Sequence, residues 1–101
     1  MPIYQTAHYQ VQAEGVDAVK AAIEEFVGYV AANEPGTRLY SSWQQADDPT
    51  KFVHLFIFED EQAHRAHGTS AAVAKFEAVY RPVLAAGPVQ FTDYDLVASN
   101  T

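Results

Sequence analysis

The stretch Phe52-Val53-His54-Leu55-Phe56-Ile57-Phe58 decides the fold of this chain. Its residues are almost all aromatic or aliphatic, a composition that is typical of a β-strand. Side chains alternate between the two faces of a strand, so both faces of this strand are apolar and both should be covered. Helices can cover one face, but a chain of 101 residues barely supplies a second layer for the other. A partner subunit is the simplest source of that layer.

A second strand is predicted immediately before this stretch, from Arg38 to Gln45. The residues between the two strands, Ala46 to Thr50 (ADDPT), are typical of a turn. Two strands joined by so short a connection should pair as an antiparallel hairpin.

The register of this hairpin determines which side chains share a face. With a loop of two or four residues, Trp43 would lie opposite His54, and Ser41 would lie opposite Phe56. Trp43, His54, Phe56 and Phe58 would then share one face of the sheet. This register predicts an aromatic wall that carries a single imidazole, suited to a flat aromatic ligand.

The residues before the hairpin predict one strand and one helix. Residues 3–11 alternate polar and apolar side chains, the two-residue period of a strand with one drier face. Apolar side chains then recur at spacings of three and four from Val19 to Val30, which predicts an amphipathic helix. Asp17 is a plausible N-cap. The helix should end near Asn33, because Pro35 disfavours helical geometry in the residue before it.

The residues after the hairpin predict helices and a last strand. Glu59 to His67 is typical of a short helix that is opened by acids. Ser70 is a candidate cap for the next helix, which Pro82 should kink or break into a final short turn. Gly87-Pro88 should close this segment, and Val89 to Val97 should form the last strand.

The predicted order of elements is β-α-β-β-α-α-β. This order is the split βαβ arrangement, a ferredoxin-like α+β fold with an antiparallel sheet. The length of 101 residues suits one domain that spans residues 1–101.

The bulk composition argues against several classes of partner. The net charge of −7 is unfavourable for nucleic acid and for anionic membranes, both of which select Lys and Arg. The chain has no cysteine, which excludes disulfides and thiolate chemistry. Residues 1–12 lack the pattern of a signal peptide, and no apolar run approaches the ~20 residues of a membrane helix. We therefore expect a cytoplasmic protein.

Histidines are the candidate proton acceptors. His54 and His67 could each act as a base, although a core histidine with satisfied nitrogens is the simpler interpretation of His54. Arg38 could stabilise a developing phenolate, or it could be a surface or dimer-contact residue. Asp60, His64 and His67 have a spacing that could hold a metal, but a solvated helix face is the simpler interpretation, and we expect no metal.

Aromatic side chains are the candidate substrate contacts. The candidates are Trp43, Phe52, Phe56, Phe58, Tyr80 and Tyr94. No glycine-rich nucleotide-binding motif and no nucleophile elbow occurs in the chain, so nucleotide cofactors and serine-hydrolase chemistry have no support.

Several short motifs resemble the antibiotic biosynthesis monooxygenase family, over about residues 3 to 97. They are residues 34–40 (EPGTRLY), the Asp48-Pro49 turn, residues 52–58, residues 59–70 (EDEQAHRAHGTS), Phe76, Pro82 and Pro88-Val89. Within them Gly36, Asp48-Pro49, His67 and Ser70 match residues that are common in the family.

Three positions depart from the family pattern. Phe56 stands in place of a strand acid, Phe58 in place of a tryptophan, and Ala72 where a second histidine is usual. These changes bear on catalysis more than on the fold.

The resemblance implies a homodimer, a dimeric α/β barrel whose sheets face each other, with a pocket between sheet and helices in each subunit. It also implies oxidation of a quinol or polycyclic phenol by O₂ without a metal, flavin or other cofactor. By matched position, His67 is the candidate base. The residues themselves add His54 as an alternative base, Trp43 and Phe56 as walls, and Arg38 as an anion stabiliser.

Two alternatives stay open at this point. The first is a non-catalytic small-ligand binder or accessory dimer on the same scaffold, because a fold does not determine function. The second is a haem-degrading relative, which usually has a strand asparagine, a pocket tryptophan and a helical histidine ligand. The nearest residues here are Ala7 or His8, Ala66 or His67, and Phe76 or Glu77.

Overall fold

The computed structural model describes all residues, 1–101. Its strands and helices are β1 (Ile3–Val11), α1 (Val16–Asn33), β2 (Thr37–Gln45), β3 (Asp48–Phe58), α2 (Glu61–Gly68), α3 (Ala71–Tyr80) and β4 (Leu84–Tyr94). Short 3₁₀ turns precede α1 and follow α3, at Ala13–Gly15 and Arg81–Val83. The predicted order of elements and the ferredoxin-like α+β fold are confirmed, as is the break at Pro82.

The four strands form one sheet in the order β2-β3-β1-β4, with every neighbouring pair antiparallel. The core lies between this sheet and the helices. Its larger cluster joins Tyr9, Val11 and Phe52 of the sheet to the apolar stripe of α1 and to Phe76 and Tyr80 of α3. A smaller cluster of Ala7, Phe56 and Phe58 packs against α2. No helix is both long enough and apolar enough to cross a membrane.

The predicted register of the hairpin is wrong by one residue. Trp43 lies opposite Val53, while Ser42 lies opposite His54. The turn is only Ala46-Asp47, and β3 then bulges over residues 49–51, where the Asp48 carboxylate accepts hydrogen bonds from the backbone and hydroxyl of Thr50. Because a slip of one residue sends a side chain to the other face, Trp43 points away from the helices and is 55% exposed.

Two element boundaries also differ from the predictions. Asp17 is not the N-cap of α1, because the preceding 3₁₀ turn runs directly into the helix and Gly15 occupies the cap position without a side-chain cap. β4 begins at Leu84 and ends at Tyr94. Gly87-Pro88 therefore lies within this strand, in a bulge opposite Tyr9, where Ala86 and Gly87 have positive φ angles of 58° and 101°.

The face of the sheet that points away from the helices is here called the open face. Strand pairing places Tyr4, Leu39, Trp43, Leu55, Ile57 and Tyr94 on it. Leu39, Trp43 and Tyr94 are exposed, whereas Tyr4, Leu55 and Ile57 are half-buried and lie beside the C-terminal residues Leu96 and Val97. Several exposed apolar side chains on one sheet face are typical of an interaction surface.

Candidate functional site

A cavity of about 270 Å³ lies between the sheet and the helices. Aromatic and imidazole rings dominate its wall: Tyr9, Phe26, Tyr40, His54, Phe56, His64, His67, Phe76, Tyr80 and Phe91. The remaining lining residues are Ala7, Gly68, Val73, Glu77 and Val89. A mostly apolar cavity with a few polar groups is typical of a small-molecule site.

His67 and Glu34 form a hydrogen-bonded pair at the α2 side of the cavity. His67 Nδ1 lies 2.8 Å from Glu34 Oε1, and the two side chains are only 12% and 11% exposed. The hydroxyl of Thr37 donates to the same carboxylate oxygen at 2.9 Å. His67 Nε2 makes no hydrogen bond. Glu34 Oε2 is the one fully buried side-chain nitrogen or oxygen that lacks a hydrogen-bond partner, so the unbonded His67 Nε2 is not fully buried. The pair therefore orients an imidazole whose second nitrogen is free to take a proton.

Local sequence explains how these two residues meet. Glu34 ends α1, next to Pro35, and its backbone N–H still bonds Val30. α2 begins at a cap in which the Asp60 carboxylate accepts from the backbone of Ala63 at 2.8 Å. The start of β2 and α2 then touch closely, because a Cβ built on Gly36 would lie 2.7 Å from Ala63 Cβ. Glycine at this position thus permits the close approach by which α2 brings His67 to Glu34.

His54 lies at the centre of a second hydrogen-bond network. Its Nε2 is 2.8 Å from the Tyr9 hydroxyl, and its Nδ1 is 2.8 Å from the Tyr40 hydroxyl. The side chain is 1% exposed. Both ring nitrogens therefore have hydrogen-bond partners, which agrees with the simpler interpretation of His54 as a core histidine.

Burial keeps all three groups of this network uncharged. Removal from water lowers the pKa of His54 to about 4, because the cationic imidazolium is the form that loses hydration. Burial raises the pKa of the Tyr9 and Tyr40 hydroxyls well above their usual range. Near neutral pH a neutral imidazole thus connects two protonated phenols.

The predicted site residues fall into three groups. His54, His67, Phe56 and Tyr80 line the cavity. Phe52 and Phe58 are buried behind its wall, where Phe52 stacks on Tyr9 and Phe58 contacts the ring of His67. The other three, Arg38, Trp43 and Tyr94, do not line it.

The structure corrects the predicted positions of Arg38, Trp43 and Tyr94. Arg38 is exposed at a bulge of β2 and makes no ion pair or side-chain hydrogen bond. Trp43 lies on the open face because it pairs with Val53 and not with His54. Tyr94 lies on the same face because it pairs with Tyr4.

Sequence reasoning missed Glu34, Tyr9 and Tyr40 as site residues. The sequence placed Glu34 at the end of a helix and gave no sign that it lies next to His67. A carboxylate beside a base commonly orients the imidazole. Tyr40 was missed because the wrong register put Trp43 on the face that Tyr40 occupies opposite Phe56. Tyr9 carried no signal beyond the alternation of its strand.

The predicted metal ligands do not form a cluster, and the predicted haem positions differ in what they present to the cavity. No group of three His, Asp or Glu side chains is arranged to hold a metal ion, and Asp60 is instead engaged as the cap of α2. At the positions that resemble the haem-degrading branch, Ala7 and Phe76 line the cavity without a ligating atom, whereas His67 lines it with Nε2 unbonded. Glu77 beside them is paired with Arg81.

The fold and the cavity define a ferredoxin-like α+β domain with a ligand-sized site between sheet and helices. The sequence model of the family described as antibiotic biosynthesis monooxygenase matches residues 2–79, more than half of the chain. The chain belongs to the antibiotic biosynthesis monooxygenase family. Family membership supports a monooxygenase-like function.

Several solved structures share this fold. A provisionally assigned antibiotic biosynthesis monooxygenase from Bacteroides thetaiotaomicron superposes with a TM-score of 0.90 at 15% identity, covering 99% of this chain and 93% of that one. One from Nitrosomonas europaea gives 0.86 at 22% identity, with 95% and 90% covered. One from Caulobacter crescentus gives 0.87 at 22% identity, with 96% and 91% covered. At such identities the likeness concerns the fold alone. No curated protein sequence matches the chain significantly.

Proposed function

We propose that this protein is a cofactor-independent monooxygenase that oxidises a quinol or polycyclic phenol with O₂. The observation that carries the proposal is the His67–Glu34 pair, whose imidazole lines an aromatic cavity with Nε2 unbonded. His67 is the proposed base. Phe56 and Tyr80 are proposed to pack against the substrate rings, since both line the same cavity.

The first chemical step is removal of a phenolic proton by His67 Nε2. Donation of the Nδ1 proton to Glu34 keeps the free lone pair on Nε2, and the carboxylate stabilises the imidazolium that forms. The resulting phenolate is electron-rich enough to pass one electron to O₂, so a base, an anion stabiliser and a dry pocket suffice.

The later steps balance with O₂ as the only oxidant. The substrate radical and superoxide combine at a ring carbon that bears hydrogen, and the imidazolium of His67 returns its proton to the peroxide, which gives a hydroperoxide. Loss of water from this carbon breaks the O–O bond and leaves one oxygen atom on the ring as a carbonyl. In sum the quinol and O₂ yield a hydroxyquinone and one water, with four electrons passing from substrate to O₂.

Oxygen uptake tests this proposal. Protein treated with a chelator is offered a panel of hydroquinones and polycyclic phenols, beside His67→Ala and the control Arg65→Ala, which changes an exposed residue of the same helix. We expect uptake that requires substrate, falls about 10²- to 10⁴-fold in His67→Ala and persists in Arg65→Ala. No uptake above autoxidation for any compound would reject it in favour of a non-catalytic binding or accessory role, which Phe56 in place of the strand acid favours.

We also propose that the protein forms a homodimer through the open face. Leu39, Trp43 and Tyr94 leave apolar surface exposed on this face, and Lys51 is the one charged strand residue that pairing places among them. Two copies that each carry a net charge of −7 repel one another, so a face almost free of charge is where they can meet. Cytoplasmic location stays a prediction.

A further inference from the structure

The wall of the cavity contains a feature that the proposed chemistry does not use. Tyr9, His54 and Tyr40 form a hydrogen-bonded chain, and all three side chains line the cavity. They come from three neighbouring strands, β1, β3 and β2, so the sheet itself holds their spacing.

A neutral imidazole forces the two tyrosines into opposite roles. One ring nitrogen of His54 carries a proton and donates, and the other accepts. When Nδ1 donates to Tyr40, the Tyr9 hydroxyl must donate to Nε2. Tyr40 then has a free O–H to offer the cavity, while Tyr9 offers only lone pairs. The other tautomer reverses both roles.

We propose that the Tyr9–His54–Tyr40 chain selects an aromatic substrate with two oxygens, one that accepts a hydrogen bond and one that donates. This inference rests on the proposed function and narrows its substrate class. A quinol that has lost one proton fits the requirement, because its phenolate oxygen accepts and its remaining hydroxyl donates. A quinone, which has two acceptors and no donor, does not fit.

The position of His67 indicates which substrate oxygen lies beside which tyrosine. The ring of His67 lies 5.6 Å from that of Tyr40, whereas Tyr9 has Phe52 and Tyr80 as its neighbours, each at 5.5 Å. The oxygen that His67 deprotonates is therefore the one beside Tyr40, whose free O–H stabilises the phenolate. The second hydroxyl donates to Tyr9. Tyr9, His54 and Tyr40 thus act as positioning and specificity residues.

Anaerobic binding of two probes of equal shape tests the inference without turnover. The probes are 1,4-naphthohydroquinone and 1,4-naphthoquinone, and the chain has no cysteine to which the quinone could add. In the wild-type protein we expect the hydroquinone to bind about tenfold more tightly than the quinone. One tyrosine offers only lone pairs, and a quinone carbonyl placed against them cannot form a hydrogen bond. Equal affinities, tighter binding of the quinone, or no saturable binding of either probe would overturn the inference.

Two variants separate the hydrogen-bond chain from general packing. His54→Phe uncouples the tyrosines, so that both can donate to the quinone, and the preference should fall to about twofold or less. Should this variant fail to fold, Tyr9→Phe keeps the stacking ring and removes the hydroxyl that accepts from the substrate and donates to His54; it should weaken hydroquinone binding about tenfold and leave quinone binding unchanged. A preference that persists in the variants that fold would reject the inference.

A control and a comparison complete the experiment. Tyr29→Phe removes a hydroxyl from an exposed part of α1 that does not line the cavity, and it should change neither affinity. Oxygen uptake is measured separately: turnover without probe preference would reject this inference alone, and probe preference without turnover would reject the monooxygenase proposal alone.

Discussion

Glu34 and His67 are 33 residues apart in the sequence, yet a 2.8 Å hydrogen bond joins Glu34 Oε1 to His67 Nδ1 at the edge of the cavity. The pair connects the end of α1 to the last turn of α2. Since Glu34 does not line the cavity and His67 does, the carboxylate acts on a substrate only through the imidazole.

Replacement of the carboxylate should therefore impair turnover more than binding. In Glu34→Gln we expect kcat to fall at least about tenfold, because the amide no longer stabilises the imidazolium, while KM changes less than about threefold. Steady-state oxygen uptake measures both constants. Glu25→Gln, which removes the same charge from an exposed part of α1, should leave kcat unchanged. A raised KM with normal kcat in Glu34→Gln would contradict the assigned role.

The close contact at Gly36 predicts a contrast between two glycines. Gly36→Ala puts a Cβ within 2.7 Å of Ala63 Cβ, so it should push α2 from β2 and lower the free energy of unfolding by about 1–3 kcal/mol. Gly28→Ala meets no atom within 4 Å on α1 and should raise it by up to about 1 kcal/mol. Urea unfolding of both variants measures the two changes. Equal effects would show that α2 is not held by close approach at Gly36.

Burial of neutral His54 predicts loss of stability in mild acid. Between pH 6.5 and about 4 the unfolded chain binds a proton at this residue and the native protein does not, so the free energy of unfolding falls as pH falls. The shift corresponds to about 3 kcal/mol over this window. Its two hydrogen-bond partners, Tyr9 and Tyr40, stay protonated throughout and add nothing.

The His54 contribution is isolated by comparison with His54→Gln, whose amide is polar but does not titrate. Chemical unfolding at several pH values between 4 and 7 should give a steeper loss for the wild-type protein than for the variant. Parallel curves would mean that His54 does not keep its lowered pKa.

The proposed dimer predicts an asymmetry between the two sides of the molecule. Leu55→Lys places a charge in the middle of the open face, between Thr6 and Ser41, and should shift the sedimentation mass from about twice the chain mass to the chain mass. Ala78→Lys, on the exposed side of α3, should leave the dimer intact. A wild-type protein that sediments as a monomer at micromolar concentration would refute the dimer.

Local sequence patterns predicted most of the secondary structure. The alternation in residues 3–11, the three-and-four spacing from Val19 to Val30 and the cap at Ser70 each predicted an element that the structure contains. These signals work because they reflect backbone periods and caps that depend on residues close in the chain. The boundaries of β3 and β4 were less accurate, since bulges let both strands continue through turn-forming residues.

The sequence by itself determined the ferredoxin-like order of elements, the apolar core faces and the candidate base on α2. Only the tertiary structure decided which residues surround that base. Because of the bulge after Asp48, the sheet face toward the helices carries Tyr40 and not the predicted Trp43. The close packing at Gly36 brings Glu34 and His67 together. The physical reason is that periodicity records which face a side chain takes along one element. Register and the approach of distant elements arise from side-chain contacts that no local pattern encodes.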